Sequence, residues 1–102
     1  MNCARPDSEL LRQLLDIPEV GLCGFKAREG LAGTGVTMLK GQDYFGSWRT
    51  APGGDLVWTS ADLTQTERAF SSVDEAVRYT LLLILRDIQV TLDAPRRQTR
   101  TA

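Results

Sequence analysis

Few residue types in this chain could do chemistry, and their spacing is unpromising for catalysis. Two Cys, no His, 13 Asp and Glu, and 12 Lys and Arg are distributed over 102 residues. Without histidine, the commonest general base and metal ligand is missing. No Ser-His-Asp or Cys-His arrangement can assemble within one chain. Cys3 and Cys23 alone do not complete a usual zinc site, which wants four ligands. Cys23 reads as a small buried hydrophobe, and a Cys3–Cys23 disulfide is not expected in a reducing compartment. Asp74 and Glu75 are adjacent, but a helix start accounts for them. Asp43, Asp55 and Asp62 fall in turns and loops, where Asp bonds its own backbone. The Gly33-Thr34-Gly35 segment lacks the third glycine of a dinucleotide loop, with Met38 at that spacing. It also lacks the Gly-Lys-Ser/Thr of a phosphate loop, because Gly41 follows Lys40. A hairpin turn is the expectation there. No catalytic residue, cofactor or metal ion is expected, and the reading is non-enzymatic.

Two features could carry binding instead. Tyr44, Trp48 and Trp58, flanked by Arg49, Lys40 and Lys26, would make a stacking platform for single-stranded nucleic acid if their sheet face were open. The same aromatics would be core if a helix covered them. They could also line an apolar small-molecule pocket between sheet and helix, with Trp48, Trp58 and Leu81 as walls. The second feature is Arg96, Arg97 and Arg100, read as a disordered basic tail over 96–102. The order helix, strands, helix is shared with double-stranded RNA-binding domains. The basic cluster expected at the start of their last helix is absent here, where Asp74 and Glu75 stand. A net charge of −1 gives no bulk attraction to nucleic acid or an anionic membrane.

These groups must be positioned by elements, and the clearest element is Ser72–Leu92. Ser72 and Glu75 form a capping box, and Asp74 and Glu75 suit the helix N-terminus. Val73, Val77, Leu81, Ile84 and Ile88 then repeat at helical spacing. Between Tyr79 and Leu85 only Thr80 is polar, and its hydroxyl can bond back within the helix. This helix carries more apolar surface than one stripe needs. Tyr79, Leu82, Leu83 and Val90 lean away from the main stripe, as a candidate self-association surface or a seat for the N-terminal helix.

The rest follows by local signals. Asp7–Asp16 reads as a short helix with Leu10, Leu11, Leu14 and Leu15 on one side, stopped near Asp16 because Pro18 disfavours helical geometry at Ile17. Strands are expected at Val20–Arg28, Val36–Lys40, Tyr44–Thr50 and Leu56–Ala61, with a short edge strand at Thr66–Phe70. A symmetric loop over Ala51–Asp55 pairs Thr50 with Leu56, Trp48 with Trp58, and Gly46 with Ser60. Tyr44, Leu56 and both tryptophans then share one face, with Phe45 on the other, and Gly46 leaves room for a ring. Met1–Arg5 reads as a frayed start, and Pro95 is expected to end the last helix.

The fold class is therefore α+β. An antiparallel sheet of three to five strands carries the long C-terminal helix across one face, with a short N-terminal helix beside it. A single domain over 1–95 fits the length. With no export signal or membrane span, a cytoplasmic location is the default. The function expected is that of a small accessory or adaptor protein that acts by binding, as a homodimer. Nucleic-acid binding through the hairpin and tail is the alternative, and small-molecule binding the second.

Overall fold

A computed structural model describes residues 6–30 and 33–101, with side chains through residue 90. The expected fraying of Met1–Arg5 lies outside these residues. The elements are α1 (Pro6–Leu15), α2 (Pro18–Leu22), β1 (Phe25–Glu29), β2 (Val36–Lys40), β3 (Asp43–Thr50), β4 (Leu56–Ser60), β5 (Arg68–Phe70) and α3 (Val73–Thr101). The five strands form one antiparallel meander in the order β1-β2-β3-β4-β5. Helices α1 and α3 pack against one another and against this sheet, so the α+β class stands.

The central hairpin has the expected register: Thr50 opposite Leu56, Trp48 opposite Trp58, Gly46 opposite Ser60. Leu10 and Leu14 of α1, Phe25, Val36, Met38, Trp48, Leu56 and Trp58 of the sheet, and Ala76, Val77 and Ile84 of α3 make one continuous core. Trp48 is 1% exposed and Trp58 2% exposed. Their ring centroids lie 5.3 Å apart, tilted by 54°. Aromatic pairs favour such offset or tilted geometries over face-to-face stacking. Thr80 joins helix to sheet. It accepts a hydrogen bond from Trp48 Nε1 at 3.0 Å and donates to the Ala76 carbonyl at 2.8 Å. The back-bond expected of Thr80 is present, and it also frees a lone pair for the indole.

Four local readings are corrected. Val20–Leu22 is helical, not the start of a strand. Ile17 is extended at φ −98°, ψ 104°, as a residue before proline should be, and Pro18 then opens a new helix instead of a strand. Proline at the first helical position loses nothing, since that N–H has no helical partner. Second, the pairing of β2 with β3 slips between Met38 and Leu39, so Met38 faces Gly46 while Leu39 faces Tyr44. Phe45 is the extra residue. Because strand side chains alternate, one inserted residue reverses every assignment beyond it. Phe45 therefore turns inward, 4.9 Å from Phe25 and 6.0 Å from Trp58. Tyr44 turns outward, its hydroxyl 3.0 Å from Ser47 Oγ. Third, α3 runs on to Thr101 and so passes Pro95. A proline removes one backbone bond from a helix and disfavours the geometry before it, which costs about 3 kcal/mol without forcing a stop. Fourth, Cys23 is not a strand residue but the C-cap of α2, half-buried and a free thiol.

The start of α3 is capped as expected on one side: Glu75 N–H donates to Ser72 Oγ at 3.1 Å. The Glu75 side chain turns to Ser71, whose hydroxyl donates to it at 3.3 Å.

Candidate functional site

The burial of the sheet's inner face decides the fate of the aromatic hairpin. Trp48 and Trp58 lie under α3 and cannot offer π-faces to a nucleic-acid base. The candidate surface of Tyr44, Trp48, Arg49 and Trp58 is divided by the sheet: the two tryptophans face the core, while Tyr44 and Arg49 are exposed. Arg49 forms an ion pair with Glu67 at 3.1 Å, and Thr59 donates to the same carboxylate at 2.8 Å. The stacking platform is therefore not formed. The side chains of Arg96, Arg97 and Arg100 lie outside those described.

The four candidate self-association residues are also separated. Tyr79 is half-buried against Phe70 and Trp48, at centroid distances of 4.9 Å and 6.2 Å. That flank of α3 meets β5, not the N-terminal helix. Leu83 is half-buried against the core on the same flank. Leu82, 50% exposed, points away, whereas Val90, though exposed, stays on the flank of Tyr79 and Leu83. Two exposed leucines escape the sequence pattern: Leu85, 59% exposed, within a run of leucines, and Leu22, 84% exposed, which reads as strand.

Two concave features border α3. One is a mostly apolar groove of about 230 Å³ between α2 and α3, lined by Ile17, Glu19, Val20, Cys23, Leu81, Ile84 and Leu85. The other is a cleft of about 630 Å³ between the β4–β5 loop and the opposite flank of α3. Phe45, Trp58, Tyr79 and Leu83 give it apolar walls, and Arg68 and Arg86 line it as well. The pocket expected beside Trp48, Trp58 and Leu81 thus divides: Trp58 lines the cleft, Leu81 the groove, and Trp48 neither.

Three surface carboxylates are locally committed. Glu9 is held down to about 2 from 4.5 by hydrogen bonds from Arg12 and then Gln13. Glu67 is held below its ordinary range by Arg49 and Thr59, and Asp62 by the Thr64 hydroxyl and N–H. A carboxyl whose pKa falls on folding adds stability that is present above its unfolded value and lost as pH drops through the folded one. For Glu9 that window is 4.5 down to about 2, and Glu67 and Asp62 act with the same sign. The urea midpoint is expected to fall as pH is lowered through this window, and Glu67→Gln is expected to flatten the fall. A midpoint that rises on acidification would contradict the assignment.

Among the described residues, no group of three or more His, Cys, Asp or Glu side chains is gathered to hold a metal ion. None of the described helical residues makes a helix long and apolar enough to cross a membrane. No protein-family model, no curated protein and no solved structure matches the chain.

Proposed function

We propose that this chain is a non-enzymatic accessory protein that acts by binding, and that it does so as a homodimer joined through the outer side of α2 and α3. One observation carries the reading: knobs and a hole of the same chemistry share one patch. Leu85 both projects and walls the groove, whose other lining is Ile17, Glu19, Val20, Cys23, Leu81 and Ile84, while Leu22 on α2 and Leu82, three residues before Leu85 on α3, are exposed as well. A two-fold contact uses the same patch on both copies, so projections and recess must coexist on one surface. Exposed leucines at two successive turns of one helix, beside a groove with scarcely any polar lining, are more apolar than a surface helix face needs to be. The absence of histidine supports the non-enzymatic half of the reading.

The test is solution mass by light scattering at two concentrations, for the wild type and for Leu82→Arg and Leu85→Arg. Dimeric wild type and folded, monomeric variants are expected, because each Arg places a charge in a desolvated contact. A monomeric wild type, or variants that keep the wild-type mass, would end the proposal.

A further inference from the structure

The cleft between the β4–β5 loop and α3 carries features that the dimer reading does not use. Its volume of about 630 Å³ falls within the usual range for small-molecule sites, roughly 300–1,000 Å³. Its apolar walls are aromatic, from Phe45, Trp58 and Tyr79, with Leu83 beside them. Four charged side chains also line it: Asp62, Arg68, Arg86 and Asp87. Both carboxylates are already engaged. Asp62 accepts from the Thr64 N–H at 3.0 Å and the Thr64 hydroxyl at 2.7 Å. Asp87 forms an ion pair with Lys40 at 2.6 Å. The two arginines are not matched in this way. Arg68 lies over the Tyr79 ring, 5.6 Å from its centroid, and neither it nor Arg86 has a carboxylate partner among the described residues. Lys40, which lies outside the lining, pairs with Asp87, so the two guanidiniums are left to offer their donors to an anion.

A second, independent observation points the same way. Trp58 is 2% exposed, yet its indole N–H meets no acceptor among the described residues. A buried donor left unpaired costs about 1–3 kcal/mol. Trp48, its cross-strand neighbour, has its N–H satisfied by Thr80. The orphaned donor therefore belongs to the one tryptophan of the pair that lines the cleft.

We infer that this cleft binds a small aromatic carboxylate. The planar apolar body lies against Phe45 and Tyr79. The carboxylate is held between the Arg68 and Arg86 guanidiniums, whose planar forks suit carboxylate geometry. The Trp58 N–H has no acceptor among the described residues, so a ligand seated against these walls changes the surroundings of an otherwise unmatched donor. The site lies on the opposite flank of α3 from the groove, so it stands or falls separately from the dimer.

The test is titration of the full chain with phenylacetate, followed by the two tryptophan indole N–H resonances in proton–nitrogen NMR, assigned with Trp58→Phe. Saturable movement of the Trp58 signal is expected, with the Trp48 signal nearly still. The neutral isostere phenylacetamide is expected to bind at least about tenfold more weakly, because it loses the charge-assisted bonds. Arg86→Gln and Arg68→Gln are each expected to weaken phenylacetate by about tenfold, since each removes one charged donor at an exposed position, with the thermal midpoint unchanged. Acetate, which lacks the ring, is expected to give no saturable shift. A Trp58 signal that does not saturate, equal binding of phenylacetamide or acetate, or arginine variants that bind as wild type would each overturn the inference.

Discussion

Gly46→Val is expected to lower the thermal midpoint by more than about 10 °C, the largest effect of any single methyl-scale change in the sheet. A Cβ at this position would fall on the Cζ2 and Cη2 atoms of the Trp58 ring and 2.9 Å from the Thr59 carbonyl oxygen. Neither obstacle can step aside. The ring is wedged between Trp48 and Phe45, and the carbonyl belongs to the neighbouring strand. Overpacking a filled core costs about 1–3 kcal/mol, occasionally more, and each kcal/mol is worth roughly 4–8 °C in a domain of this size. Gly46→Ala should show a smaller loss of the same sign. Gly53→Ala is the control: its Cβ meets nothing within 4 Å, and shortening the list of unfolded conformations there is expected to leave stability equal or slightly raised. Thermal unfolding of the three variants checks the argument. If Gly46→Val melted with Gly53→Ala, the close approach of Trp58 would be wrong.

Trp48→Phe is expected to cost about 2–4 kcal/mol, combining lost buried ring volume with a lost hydrogen bond. Thr80→Val reaches the same bond from the other side. It leaves the indole N–H buried without an acceptor, which should cost about 1–3 kcal/mol. The double variant has no unpaired donor, since the Thr80 hydroxyl and the indole leave together. Its loss should therefore be smaller than the sum, by a coupling of about 0.5–3 kcal/mol. Urea unfolding of the four proteins measures this directly. Strict additivity would mean that the Trp48–Thr80 bond contributes nothing beyond its separate parts.

These two residues also show how far the sequence could be read. The pairing of Trp48 with Trp58 followed from the turn residues Pro52, Gly53 and Gly54 and from loop length, and Gly46 beside a ring followed from that register. The cap of α3 and the back-bond of Thr80 were local and therefore legible. Tyr44 was misplaced because the bulge at Phe45 has no residue signature of its own; it is visible only once β2 is laid beside β3. Val20–Leu22 reads as strand because a single helical turn is too short to show a period. The candidate binding surface failed for a related reason. Alternation places Trp48, Trp58 and Leu56 on one face, but says nothing about what covers that face. Arg86 and Arg68 were passed over because an arginine reveals its lack of a partner only in three dimensions. Leu82 and Val90 were legible as surplus apolar residues, whereas Leu85 was hidden by the run of leucines around it.

The strand order has a kinetic side. Every strand lies beside its sequence neighbour, joined by short connections. Each hairpin closes a small loop, so little chain entropy is spent before pairing is rewarded, and such local topologies fold quickly. Helix α1 is the exception, because its partner α3 lies at the far end of the chain. The hairpins of the sheet can pair without it, and α1, which touches both α3 and strands β1 to β3, then closes a loop that spans most of the chain. Core substitutions at Leu10 or Leu14 should accordingly speed unfolding far more than they slow folding, while substitutions in the β3–β4 hairpin should do the reverse.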